Sequence, residues 1–324
     1  MALSLTELES ITKDYFLLDK GKAVDIYFND SFLLNWFIKQ KKGLYDTVPG
    51  GQYVVIPLDY DGAESGFYEK GATLSSDDRT SINAARFAIK HIYSNATVYR
   101  IDELQANGAQ AIINLVANRL EKAQKQINKD MADSIYDAAG AGSSRFDGLR
   151  ALCSSSTSTK YGDIAEDDLV SDDGTKPWKG NISSTATAMS LDVIRDARRL
   201  AKIGDGAEGK PDMFVTTEAL YQIIETILQA QQRFTEGIKT GKAGFTGVNY
   251  LGTEIFPDDF CPSGYGFALN SKHVGFGVHQ DGNFVRLPWA IMPDSAGDRT
   301  MKILFDGNLI CNNRKAHYCY SSLS

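Results

Sequence analysis

The side chains best suited to chemistry in this 324-residue chain are few and scattered. Its four cysteines, Cys153, Cys261, Cys311 and Cys319, form no CxxC pair, which argues against a zinc knuckle or a redox dithiol and favours buried free thiols. His317 precedes Cys319 by two residues, so on a strand the two share a side; a nucleophile with its base is one reading, a core or edge contact the plainer one. None of the four histidines has another at metal-ligand spacing, and there is no G-x-S-x-G elbow. The acidic run Glu166–Gly174 does not place carboxylates at the alternate positions of a calcium loop and reads as solvated. TGKAG, from Thr240 to Gly244, is one residue short of a phosphate loop and has Ala243 where a magnesium-binding hydroxyl belongs. VGFGVHQDG, from Val274 to Gly282, has Gln280 in place of the third glycine of a dinucleotide turn and reads as an ordinary turn among strands. The expectation is no cofactor, no metal and no catalytic residue.

One further stretch looks functional, the Ser-, Thr-, Gly- and Asp-rich segment from Gly148 to Gly180, which holds Cys153. It could be a catalytic loop or a surface, and the elements around it decide. With 43% hydrophobic residues the chain can bury a sizeable core. Its longest apolar run, Phe32 to Ile38, is too short for a bilayer, and MALSLTELES lacks the regions of a signal peptide; a soluble protein of a reducing cytoplasm is expected. A net charge of −7 disfavours nonspecific nucleic-acid binding, which rests on Lys and Arg neutralising phosphates.

The chain opens with a capping box, Ser4 and Glu7, and a short helix, followed by a second, amphipathic one from Ser31 to Lys42 with Asp30 as its cap and Gly43 as its stop. Both are too short to be stable alone and must dock on a larger body. Gln52–Tyr60 and Ala85–Tyr99 read as strands, the second with Phe87, Ile89, His91 and Tyr93 on one face. They predict a long hairpin whose polar tip is Asp61–Asn83. From Asp102 to Ala139, apolar residues at Ile112, Val116, Leu120, Ala123, Ile127, Met131, Ile135 and Ala138 oppose Arg119, Lys122, Lys125, Lys129 and Asp133. That is a helix on the order of 50 Å long. Helices follow at Ser190–Ile203 and Thr217–Ala230 around a strand at Asp212–Thr217, and the last third is strand and turn.

This order of parts, together with GLRALCSSS and YGDI after the long helix, PWKGN before the next, KPDMFVTTEALYQIIE with QQRF, and YLGTEIFPDDFCPSGYGFALNSKHV, resembles the major capsid proteins of tailed bacteriophages over nearly the whole chain. The resemblance implies an α+β fold with an N-terminal arm (1–50), an extended loop (51–100), a peripheral domain carrying the spine helix (101–145 and 250–300) and an axial domain (146–249 and 301–324). It implies self-assembly into hexamers and pentamers of an icosahedral head around double-stranded DNA, with no catalysis and no membrane. The implied partners are other copies of the chain, a portal, scaffolding or decoration proteins, and DNA bound without sequence specificity; the implied location is the virion capsid, assembled in the host bacterial cytoplasm. Glu64, Glu69 and Lys70 at the hairpin tip become candidate contacts with a neighbouring subunit. The segment after the spine becomes an adaptable lining of the capsomer axis, and the inner wall is expected to be near neutral or acidic. The spine starts near residue 102, so no long cleavable scaffolding domain is expected upstream of it. Lys70 has no Asn to meet in Met292–Asp298, so no isopeptide cross-link is expected. Two alternatives stand beside this reading: an encapsulin-like shell around cargo enzymes, and a soluble hydrolase using Cys153 or Cys319.

Overall fold

The computed structural model of the chain describes residues 31–39, 44, 46–71, 73–74, 81–105, 109–171, 173–203, 209–231, 248–293, 295 and 297–324. The Ser4–Glu7 capping box, the Thr240–Gly244 loop, Asp30 and Gly43 lie outside them. In chain order the elements are α1 (Phe32–Leu34), β1 (Asp46–Val48), β2 (Tyr53–Asp59), β3 (Ile82–Ala88), β4 (Lys90–Val98), α2 (Arg100–Gln105), α3 (Ala109–Ile135), α4 (Leu149–Cys153) and β5 (Ile182–Ser183). There follow α5 (Leu191–Leu200), β6 (Met213–Thr216), α6 (Glu218–Gln231), β7 (Val248–Tyr250), β8 (Thr253–Pro257), β9 (Gly266–Leu269), β10 (Val274–His279), β11 (Val285–Arg286), β12 (Ala290–Ile291), β13 (Arg299–Cys311) and β14 (Tyr318–Tyr320).

α1 runs on into a π-helical stretch, Asn35–Lys39, and is capped by Ser31, whose Oγ accepts from Leu34 N at 3.4 Å. It is not amphipathic as expected: every residue from Phe32 to Ile38 is buried. Phe32 stacks on Phe256 with ring centroids 3.9 Å apart, and Phe37 lies 5.9 Å from Phe276. A helix that is apolar all round belongs inside a core. The Asp258 carboxylate completes its cap from outside, accepting from Ser31 Oγ at 2.9 Å and Leu33 N at 3.2 Å. The arm is thus docked by an acceptor for its orphan N–H groups as well as by its rings.

Two sheets make up the body. In the first, β13 is central: along one edge it pairs antiparallel with β4, from Arg299↔Val98 to Gly307↔Lys90. Its other edge takes β12, β11 and β10 in turn, and β1 adds in parallel to β10. The expected single helix from Asp102 to Ala139 is described as α2 and α3, with 106–108 between them outside the described residues. α3, 27 residues and about 40 Å long, packs across β4. Val116, Leu120, Ala123, Ile127, Met131 and Ile135 are buried, as their spacing requires, while Lys122, Lys125, Lys129 and Asp133 are exposed. Gln124 and Asn128 are buried too, so more of the helix is covered than its apolar stripe alone.

The second sheet has the order β5-β14-β9-β6-β8-β7, with β6 and β8 parallel across the α6 crossover. Successive side chains along a strand face opposite sides. Phe214, Ile255, Ala268 and Tyr320 therefore pack under α5 and α6. Met213, Val215, Phe256, Phe267 and Leu269 turn to the main core with α3. The sheets divide the chain differently from the boundaries at 250 and 301. β7, β8 and β9 join β6, and β13 joins β4, because strand partners here are set by long-range hydrogen bonding that adjacency in sequence does not reveal.

Leu120→Ala or Ile127→Ala is expected to destabilise the unassembled subunit by about 2–5 kcal/mol, since both sites are fully buried. Lys122→Ala, on the exposed side, should change it by less than about 0.5 kcal/mol. Denaturant unfolding of the three variants checks this, and equal losses on both faces would contradict the packing described.

Candidate assembly surface

β2 and β3 pair from Tyr53↔Ala88 to Asp59↔Ile82 as a two-stranded ribbon. Such a ribbon is marginal alone and needs a support. Val54, Leu58, Ala85 and Phe87 supply a buried inner face. The support comes from the Gly148–Gly180 segment: Arg86 N donates to Gly162 O at 2.8 Å, Ser171 Oγ donates to Tyr60 O at 2.9 Å, and Phe87 meets Tyr161 edge-on with centroids 5.3 Å apart. Gly162 has φ +60°, and a β-carbon there would come within 3.0 Å of Ala85 Cβ and of Phe87 Cζ. Tyr161, Ile164, Leu169 and Trp178 are buried. The segment thus braces the hairpin root, while Ser155–Ser158 within it stay exposed. Its acidic run is largely consumed internally: Glu166 pairs with Lys179 at 3.3 Å, Asp167 with Lys176, and Asp168 Oδ2 accepts from Ala165 N at 2.8 Å.

A buried polar knot holds the same root from the other side. Asn308, on β13, donates through Nδ2 to Ala88 O and to Asp147 Oδ2, both at 2.9 Å, and accepts through Oδ1 from Asp147 N at 2.9 Å. Lys90 is buried beside it and donates to Ser143 O. Burial pushes the Asp147 carboxyl up to about 6, against the opposing effects of nearby Lys90 and the Asn308 hydrogen bond. Between Phe87 and Lys90 the inward phase of the strand changes from odd to even positions. Ile89 stands outside both ladders, with its N–H on Gln52 O at 3.1 Å. His91 and Tyr93, expected on the face of Phe87, are exposed, and Lys90, Ser94, Ala96 and Val98 are buried instead. A one-residue slip reverses every subsequent side chain.

Beyond the root the hairpin leaves the body. Every residue from Gly62 to Gly71 is exposed, among them Glu64, Glu69 and Lys70. So are Phe67, wholly, Tyr68 at 70%, Leu74 at 63% and Ile82 at 73%. The outer face of the root adds Tyr53 and Val55. Phe67 and Tyr68, adjacent in sequence, place two large rings in solvent on one short stretch, the kind of exposure that makes it a candidate binding surface. The charged residues stood out in the sequence, whereas the aromatics were missed. The available signal was the pair Phe67–Tyr68 in a stretch otherwise polar and bounded by Gly66 and Gly71.

The remaining chemical candidates are dispersed into structure. All four cysteines are free and buried. Burial raises the Cys261 thiol well above its ordinary value, Cys311 to about 12, and Cys319 strongly, the last also through Cys153. His317 is fully buried, its Nδ1 accepts from Asn270 N at 3.2 Å, and burial lowers its pKa to about 3. The Cys319 thiol donates to Tyr320 O at 3.4 Å. Neither thiol nor imidazole is arranged as an activated nucleophile with its base. Gly275 and Gly277 lie within β10 rather than in a turn; a β-carbon on Gly275 would sit 2.4 Å from Leu44 O, so the glycine admits a close backbone approach. Among the described residues no group of three or more His, Cys, Asp or Glu could hold a metal ion, and no helix is long and apolar enough to cross a membrane.

A family model described as SU10 major capsid protein matches residues 96–324, more than two thirds of the chain. The chain belongs to the SU10 major capsid protein family. It is a major capsid protein of a tailed phage, with the α+β fold of that class and a place in the virion capsid. The matched span begins within β4, after the hairpin and the arm. No curated protein matches by sequence. Among solved structures, the capsid asymmetric unit of cyanophage A-1(L) is similar at 11% identity over 87% of this chain and 91% of that one, with a TM-score of 0.64. The capsid of Myoviridae phage XM1 is similar at 14% identity over 88% and 91%, with a TM-score of 0.53. The SrpI encapsulin complex of Synechococcus elongatus is similar at 12% identity over 88% and 87%, with a TM-score of 0.50. At such identities these likenesses concern the fold.

Two expectations follow from the buried groups. Replacing all four cysteines by Ser or Ala should leave shell assembly intact with some loss of thermal stability, read by light scattering and calorimetry; a single Cys→Ser change that abolished a hydrolytic activity of the purified protein would reinstate an enzyme. The Asp147 carboxyl, raised from 3.8 to about 6, contributes stability below 3.8 that is lost as pH rises to about 6 and then levels off. Asp147→Asn should therefore gain on the native chain by about 2–3 kcal/mol between pH 4 and pH 7. Parallel pH profiles of unfolding free energy for the two proteins would show the assignment to be wrong.

Proposed function

We propose that this capsid protein forms hexamers and pentamers of an icosahedral head that encloses double-stranded DNA, each subunit laying its hairpin tip over a neighbour. The observation that carries the reading is the tip itself. Phe67, Tyr68 and Leu74 are held out in water on a root that is braced by hydrogen bonds and ring contacts, a cost that only an intermolecular contact offsets. Glu64, Glu69 and Lys70 on the same stretch would set the register of that contact. In this reading the sheet bearing α3 is the peripheral unit and the sheet under α5 and α6 the axial one. A portal, and scaffolding or decoration proteins, would complete the head in the host cytoplasm. DNA would be contained without base recognition, consistent with the net charge of −7. The encapsulin-like alternative keeps the fold and differs in contents, so particles that carried a cargo enzyme instead of nucleic acid would favour it.

Replacing Gly62–Thr80 by a short Gly-Ser linker should leave a folded subunit, with unchanged circular dichroism, that no longer assembles, as measured by light scattering. Phe67→Ser with Tyr68→Ser should lower assembly without loss of subunit stability. Normal shells from the linker variant would defeat the proposal.

A further inference from the structure

A cavity of about 440 Å³ opens beside the C-terminal end of α5 and plays no part in the surface described above. It is lined by Arg195, Arg198, Arg199 and Lys202 from α5 and the turn after it, Lys210 from the approach to β6, and Leu251 from the β7–β8 turn. Among the described residues no carboxylate lines it, in a chain whose net charge is −7. Part of this concentration has an ordinary cause, since cations in the last turn of a helix complement its dipole. Arg195 and Arg199 also pair along the helix with Asp192 at 2.9 Å and Asp196 at 3.4 Å.

That cause does not extend to Lys210, which arrives from another segment, or to the state of Arg198. The Nη1 of Arg198 is buried and has no hydrogen-bond partner among the described residues. Its guanidinium lies against Gly252, where a β-carbon would come within 3.5 Å of Nη2. A buried charged donor without an acceptor is costly, and a side-chain rotation that brings this half-buried guanidinium to the cavity wall would let a bound acceptor remove that cost. Two neighbouring carboxylates are directed elsewhere. Asp212 and Glu254 line a second cavity with Gly252, and Asp212 already accepts from Ser271 N at 2.8 Å and from Ser271 Oγ.

We propose that the cation-lined cavity binds a compact anion bearing several phosphate groups, with Arg198 and Lys210 as its direct ligands and Arg195, Arg199 and Lys202 supplying the surrounding field. The planar fork of a guanidinium matches two phosphate oxygens at once, and several cations around one small space favour clustered negative charge over a single carboxylate. The volume is that of a small-ligand pocket. The same chemistry is offered by a free oligophosphate and by consecutive phosphates of a nucleic-acid strand. The site does not depend on the hairpin contact and is testable on unassembled subunits.

The test is titration of the purified full-length chain with sodium tripolyphosphate, followed by calorimetry and thermal unfolding, against sodium chloride at matched ionic strength. Saturable binding with a rise in unfolding temperature is expected, weakened on the order of tenfold in Arg198→Gln and in Lys210→Gln, with Lys122→Ala unchanged. Lys210 lies outside any helix or strand, so its variant remains informative should Arg198→Gln destabilise the subunit. Displacement of tripolyphosphate by a short DNA duplex would identify a nucleic-acid strand as the source of the phosphates; failure to displace would identify a free oligophosphate. No saturable binding above the chloride control, or binding unaltered in both variants, would overturn the site.

Discussion

A buried guanidinium held by backbone carbonyls stands at the junction of this molecule. Arg314, in the turn between β13 and β14, is 1% exposed and donates to four backbone carbonyls: Leu152 at 2.8 Å, Ala151 at 3.1 Å, Trp178 at 2.9 Å and Ser154 at 2.7 Å. Its charge also lies 5.4 Å from the centre of the Tyr161 ring and 6.0 Å from that of Trp178. Burial lowers its pKa, yet an arginine remains protonated in proteins, so the carbonyl dipoles and ring faces must replace water completely. In doing so they fix the end of α4 and the backbone at Trp178 against the turn that links the two sheets. Tyr161 passes that rigidity to Phe87 and the hairpin root.

The consequence is a subunit whose extended part is firmly aimed. Asn308 ties the root to β13, Gly162 admits the strands to close packing, and the phase change at Ile89 lets one continuous chain serve first as hairpin and then as sheet. β13 takes the β4 continuation from Arg299 to Gly307. A shell subunit needs this combination, because a contact with a neighbour is specific only if the side chains presented to it are held in one orientation. The apolar surface at the tip would otherwise be an aggregation hazard.

Much of this is legible in the sequence. Leu120 and Ile127 recur at a helical period, so the spine and its buried stripe follow from sequence. Ser190, at the head of α5, and the β-branched and aromatic runs of the last third placed the later helices and strands with small errors at their ends. The order of those elements, with the phrases between them, sufficed to indicate the capsid class. Local signals of this kind survive because backbone sterics and side-chain periodicity act within a few residues.

What only the tertiary structure decided lies in partners far apart along the chain. Alternation alone assigned His91 and Tyr93 to the face of Phe87, since a period of two carries no sign of a one-residue slip. Composition made Gly148–Gly180 an adaptable loop, because nothing nearby in sequence announces that Arg314 will occupy its carbonyls or that Phe87 will meet Tyr161. Strand partnership is of the same kind: β8 and β13 could each have joined either sheet on pattern alone, and their hydrogen-bonding partners, about 40 and 200 residues away, made the choice. Sequence fixes what each segment can be; the long-range hydrogen bonds and packing of the folded chain fix what each segment is placed against.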